Sequence, residues 1–153
     1  MEKRDSIIFK TILGNIKIFS TNEKVVLIKL TNKKIKNSTS EILNKSKKQI
    51  KEYLLGNRTI FNLDNKPEGS IFQKRVWKQL SLIPYGKTVS YLTLSNILET
   101  SPRAIGNACG KNPLLIIVPC HRVLSIHGKL TGFSALGGIE TKERLLKLES
   151  IKI

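Results

Sequence analysis

At 153 residues with 40% hydrophobic side chains, the chain has enough for one ordinary domain, or two small ones, with a folded interior. Lys and Arg number 27 against 11 Asp and Glu, a net charge of +16, which disfavours cationic partners and favours a polyanion such as DNA, RNA or an acidic membrane surface. No apolar run reaches the roughly 18 residues of a membrane span. The start, Met1-Glu2-Lys3-Arg4-Asp5, is charged and lacks the apolar stretch and cleavage site of a secretory signal, so a cytoplasmic location is expected.

The first third reads as a small sheet. Ile7 to Thr11, Ile16 to Phe19 and Val25 to Leu30 are rich in β-branched residues, and Leu13-Gly14-Asn15 supplies a hairpin turn between the first two. After a polar Lys/Asn-rich stretch, Ser40 caps a helix whose apolar residues Ile42, Leu43, Ile50, Tyr53 and Leu54 keep near-helical spacing; Gly56 ends it. Leu63 to Ser70, with Pro67 and Gly69, reads as a link. The expected division is therefore 1–66 and 67–153. Positive charge does not choose between the two parts, which hold 15 basic and 6 acidic residues and 12 and 5.

The second part reads as mostly helical. Ser70 opens a helix with Phe72, Val76, Trp77 and Leu80 on one face, broken at Pro84-Tyr85-Gly86. Thr88-Val89-Ser90-Tyr91 leads into a short helix holding Leu92, Leu94, Ile97 and Leu98. Ser101 as cap and Pro102 at the first helical position start another, running through Arg103 to Cys109. Two short helices around a tight turn fit either a compact helical hairpin or a helix-turn-helix, and the charge excess favours the DNA-binding form. Glu140 to Lys147 reads as the last helix.

The apolar run Leu114 to Val118 reads as a strand or a tightly packed segment. It delivers Pro119-Cys120-His121-Arg122-Val123 from the core onto a surface. A thiolate is the reactive form of cysteine, and a neighbouring base or positive field stabilises it; His121 and Arg122 are the candidates. Cys109 and Cys120 make no disulfide framework, and His121 and His127 lack zinc-ligand spacing, so no metal is expected. The Gly128 to Ser134 stretch is no phosphate loop, because Gly-Lys-Ser/Thr at the required spacing is missing.

In order along the chain stand Phe72-Gln73, Val76-Trp77, Ile83-Pro84-Tyr85-Gly86, Ser90-Tyr91, Ser101-Pro102-Arg103-Ala104, Asn112-Pro113, Pro119 to Val123, Thr131-Gly132-Phe133-Ser134, Gly137-Gly138, and Lys142 through Leu145-Leu146 to Glu149. Together they resemble the O6-alkylguanine-DNA alkyltransferases (methylated-DNA–protein-cysteine methyltransferases) over roughly residues 70 to 149. The resemblance implies an α+β fold: a small RNase H-like sheet-and-helix domain, then a helical, winged-helix-like domain with a helix-turn-helix. It implies repair of double-stranded DNA containing O6-alkylguanine. The alkyl group passes irreversibly to a cysteine of the protein itself, once per molecule, after base flipping. A monomer without a cofactor is implied.

By the same resemblance Cys120 is the acceptor, His121 the base acting through a water, and Glu149 the carboxylate behind it. Arg103 fills the gap left by the flipped nucleotide, Tyr91 contacts the base and its 3′ phosphate, and Ala104 and Gly106 approach the minor groove. Ser101, Lys111 and Arg122 complete the implied DNA contacts. Asn112, Pro119, Val123, Phe133 and Ser134 form the implied substrate pocket. Ala135-Leu136-Gly137-Gly138 makes the pocket loop longer than in many members, and the zinc of some members' N-terminal domains finds no ligands here.

Overall fold

The computed structural model describes residues 2–128 and 137–151, so Phe133 and Ser134 lie outside the described residues. Contacts divide the chain into two compact units, Met1–Glu68 and Gly69–Ile153.

In the first unit, β1 (Arg4–Thr11), β2 (Gly14–Thr21) and β3 (Lys24–Thr31) form an antiparallel meander in the order β1-β2-β3. Ile7 faces Ile18 and Phe9 faces Ile16 across one pair, and Ile18 faces Ile28 and Ile16 faces Leu30 across the next. All six of these side chains are buried. Helix α1 (Glu41–Leu54) contacts all three strands and buries Leu43, Ile50, Tyr53 and Leu54. Its Lys47 and Lys51 ammonium groups stand 5.9 Å from the Phe9 ring, which puts that ring on the helix side of the sheet. The Ser40 hydroxyl accepts from Leu43 N at 3.4 Å, the cap expected from the sequence.

The strands run longer than the β-branched segments alone suggest, because polar residues such as Arg4, Asp5 and Lys24 continue the ladder. The second hairpin turns at Asn22 and Glu23, both at positive φ (51° and 65°), the sign pattern of a type I′ turn without its usual glycine. The stretch Leu63 to Ser70 is not all link. Val25 N donates to Asp64 O and Lys66 N donates to Val25 O, each at 2.9 Å, so its first part pairs with β3.

In the second unit, α2 (Ile71–Leu80) opens with a complete capping box between Ser70 and Gln73. Short helices α3 (Tyr91–Ile97) and α4 (Pro102–Gly110) pack together around a turn with Glu99 at φ 54°. Ser101 Oγ accepts from Ala104 N at 3.1 Å, and Pro102 opens α4. Trp77, 2% exposed, donates from Nε1 to Ala108 O at 2.9 Å and so pins α4 to α2. Two-residue strands β4 (Val89–Ser90) and β5 (Val123–Leu124) pair in parallel, a link with no local sequence signal. Helix α5 (Gly138–Leu148) follows Gly137 at φ 87°, where a Cβ would fall 2.3 Å from Thr141 Oγ1.

Candidate active site

Leu114 to Val118, buried except at half-buried Ile117, is a run of turns, not a strand. Ile117 N bonds back to Leu115 O at 2.9 Å around Ile116, whose φ of 73° is strained for a β-branched residue. Cys120 N then bonds to Val118 O at 2.8 Å around Pro119, whose φ of −81° and ψ of 64° make an inverse γ-turn that the pyrrolidine ring favours. A single 3-10 turn, Cys120–Arg122, comes next.

The sequence expectation that this motif surfaces is corrected. Cys120 is 6% exposed and His121 fully buried, because the segment packs beneath α2 and α5 instead of leaving the core. Asn112 ties it down. Its Nδ2 donates to Val118 O at 2.8 Å and to Cys120 Sγ at 3.3 Å, while its Oδ1 accepts from Leu114 N at 2.9 Å. Burial pushes the Cys120 thiol above its ordinary range; the Asn112 bond and the Lys142 charge pull the other way without overcoming it.

Glu149, just past α5, is the hub. His121 Nε2 lies 2.7 Å from its Oε2, and Gly86 N donates to its Oε1 at 3.0 Å. Arg122 grips it with Nε at 2.8 Å from Oε1 and Nη2 at 3.1 Å from Oε2. Arg122 also donates from Nη1 to Ile83 O at 2.7 Å and lies 5.8 Å from the Tyr85 ring centroid. The expectation that Arg122 meets DNA is therefore corrected: its guanidinium is turned inward, and each of its three nitrogens donates to Glu149 or Ile83.

Burial, above all, holds the His121 pKa below the ordinary histidine range against the opposing pull of Glu149, so the ring is neutral near pH 7. With Nε2–H donating to the carboxylate, Nδ1 is the ring's acceptor. Nδ1 is buried and has no hydrogen-bond partner among the described residues.

One functional residue escaped assignment from the sequence. Lys142 is fully buried; its Nζ donates to Val123 O at 2.7 Å and to Tyr91 Oη at 3.4 Å. It joins α5, β5 and the start of α3, and its charge favours a thiolate at Cys120. A lysine on the same face as Leu145 and Leu146 was the available signal.

Arg103, Ser101 and Lys111 are exposed on and around α4, with Ala104 and Gly106 half-exposed between them. Pro119 and Val123 are buried against the Cys120 segment. No group of three His, Cys, Asp or Glu among the described residues could hold a metal, and no helix among them is long and apolar enough to cross a membrane.

Residues 71–151 match the family model described as 6-O-methylguanine DNA methyltransferase, DNA binding domain. The chain belongs to this family. It is 42% identical over 111 residues to a methylated-DNA–protein-cysteine methyltransferase of Methanosarcina acetivorans, covering 71% of this chain and 70% of the relative. A Mycobacterium tuberculosis relative of the same name is 47% identical over 103 residues, which are 66% of this chain and 61% of that protein, less than two-thirds of its length. The crystal structure of Mycobacterium tuberculosis OGT in complex with DNA superposes with a TM-score of 0.83 at 33% identity, over 94% of this chain and 91% of that one. The α+β architecture, a three-stranded antiparallel sheet with a helix followed by a helical DNA-binding part, is that of the family, and the chain is a DNA-binding protein of DNA repair.

Proposed function

We propose that this protein removes an alkyl group from O6 of guanine in double-stranded DNA and keeps it on Sγ of Cys120, one event per molecule. The observation that carries this reading is the buried sequence of groups ending at a free acceptor: Asn112 on the sulfur, His121 beside it, Glu149 on the far side of the ring, and Nδ1 unpartnered. The logic is that of nucleophile, base and orienter.

At rest the sulfur is a protonated thiol, protected by burial. When an O6-alkylguanine enters, the thiol proton passes to His121 Nδ1, directly or through a water molecule. The sulfur attacks the alkyl carbon and forms the S–C bond as the C–O6 bond breaks. The electron pair of that bond goes to the purine, which takes up one proton and leaves as guanine. Glu149, paired at 2.7 Å, stabilises the imidazolium. Tyr91 is our choice for the proton donor to the departing base, since the Lys142 ammonium on its oxygen eases loss of the phenolic proton.

O6 lies within the base stack, so the nucleotide must leave the duplex; exposed Arg103, in the first turn of α4, is assigned to the gap. The protein acts as a monomer on duplex DNA containing the lesion.

Incubation with a duplex containing O6-methylguanine should raise the protein mass by one methylene, confined to the Cys120 peptide. A folded, DNA-binding parent whose mass stays constant would refute the proposal. Cys120→Ala should bind the duplex and leave the lesion in place.

A further inference from the structure

The strand register sorts the side chains of the first unit onto two faces. One packs under α1. The other carries Arg4, Thr21 and Lys24 at the end beside the second turn, and then three rows of three: Ser6, Phe19 and Leu27; Ile8, Lys17 and Lys29; Lys10, Asn15 and Thr31. These nine positions hold three lysines and no acidic residue. Asn15 Nδ2 donates to Lys33 O at 3.1 Å and so anchors a fourth lysine beside the last row. Lys10, Lys29 and Lys33 are exposed and Lys17 is half-buried.

Lys17 and Lys29 are direct cross-strand partners. Like charges placed opposite each other destabilise a sheet, so the two ammonium groups cost the free sheet stability. Burial first, and then the charges of Lys33, Lys29 and Lys36, hold the Lys17 pKa below the usual lysine range. Nearby Asp5 offers little relief, since Ser38 and Lys36 already hold it. None of Lys10, Lys17, Lys29 and Lys33 pairs with a carboxylate among the described residues.

We propose that this lysine-bearing outer face of the β1-β2-β3 sheet is a second DNA contact, binding the phosphate backbone without regard to sequence. A polyanion relieves the repulsion that the face carries when free. Of the polyanions that charge alone admits, DNA is the one this chain binds. Rows along a strand lie about 6.7 Å apart and neighbouring strands about 4.8 Å apart, a spacing that lets several ammonium groups meet successive phosphates. Contacts of this kind release counterions and add to the salt dependence of binding.

The test uses the full chain and an undamaged duplex. Lys17→Gln, Lys29→Gln and Lys33→Gln are combined in one variant; Lys45→Gln, Lys48→Gln and Lys51→Gln, exposed on α1 across the sheet, are combined in a control of equal charge. Affinity is measured from about 50 to 200 mM salt, where each lost phosphate contact lowers the slope of log K against log salt by about 0.9. The face variant should lose about 2 in slope and about tenfold or more in low-salt affinity, and the control less than half of either. Its melting temperature should hold or rise, because repulsion has been removed.

Equal behaviour of the two variants, or an unchanged slope, overturns the proposal. So does loss of binding to vesicles rich in anionic lipid with DNA binding intact, which would assign the face to a membrane. Alkyl transfer from saturating O6-methylguanine duplex is followed in parallel and should match the parent. A parent that transfers nothing would sink the Cys120 reading alone and leave the salt slopes to decide this one.

Discussion

Replacing Glu149 with glutamine tests the site where its geometry is most constrained. The side chain keeps its size and loses its charge. Oε1 accepts from Gly86 N and Arg122 Nε, and a glutamine carbonyl there preserves both bonds. The amide nitrogen must then stand at the Oε2 position, facing Arg122 Nη2, donor against donor, and His121 Nε2. Removing one partner of a buried ion pair costs about 3–5 kcal/mol. Arg122 retains Ile83 O and the Tyr85 ring, which argues for the lower end, about 3 kcal/mol. For a unit of this size that corresponds to a fall of on the order of 15 °C in melting temperature.

The chemical effect is separate. To accept from the new amide, His121 must move its proton from Nε2 to Nδ1, and Nδ1 then no longer takes the thiol proton. Loss of a correctly held base costs about 10²–10⁴ in rate. Single-turnover transfer from saturating O6-methylguanine duplex, run well below the variant's melting range, measures this, and nitrogen NMR of His121 reads the tautomer. A rate within about threefold of the parent, with Nδ1 still unprotonated, would refute the reasoning.

Asn112→Ala removes three hydrogen bonds from the turn that carries Cys120 and should lower stability by about 2–3 kcal/mol, read by denaturant titration; transfer should slow as well. His121 is buried neutral with a lowered pKa, so its contribution is complete above the unfolded pKa of about 6.5 and is lost as pH falls below it. Melting temperature should therefore decline between about pH 6.5 and 5, and more steeply than in His121→Gln. Cys120, with a raised pKa, runs the opposite way: its contribution is complete below about pH 8.5 and fades as pH rises past that value. Cys109, its thiol pushed up to about 12, should resist iodoacetamide at pH 8 until the protein is unfolded, checked by mass spectrometry of labelled peptides.

Helix starts were legible because they are local. Ser40, Ser70, Ser101 and Pro102 act on backbone groups two or three residues away, and each caps or opens the helix expected of it. The Asn22-Glu23 turn was not legible, because no glycine marks its positive φ values and the ladder on either side imposes them. The Cys120–His121 adjacency and the distant Glu149 could be named from the ordered motifs, and the structure brings His121 and Glu149 within hydrogen-bonding distance.

The chain's order of residues, by itself, determined the alternation of strands, the capped helices and the thiol beside an imidazole, all products of interactions spanning a few residues. Only the tertiary structure decided that the thiol is buried, that Arg122 faces inward to Glu149, and that Lys142 reaches Tyr91. Solvation and charge act through space, so a side chain's ionisation and its partner depend on groups 27, 28 and 51 positions away that no local pattern brings together.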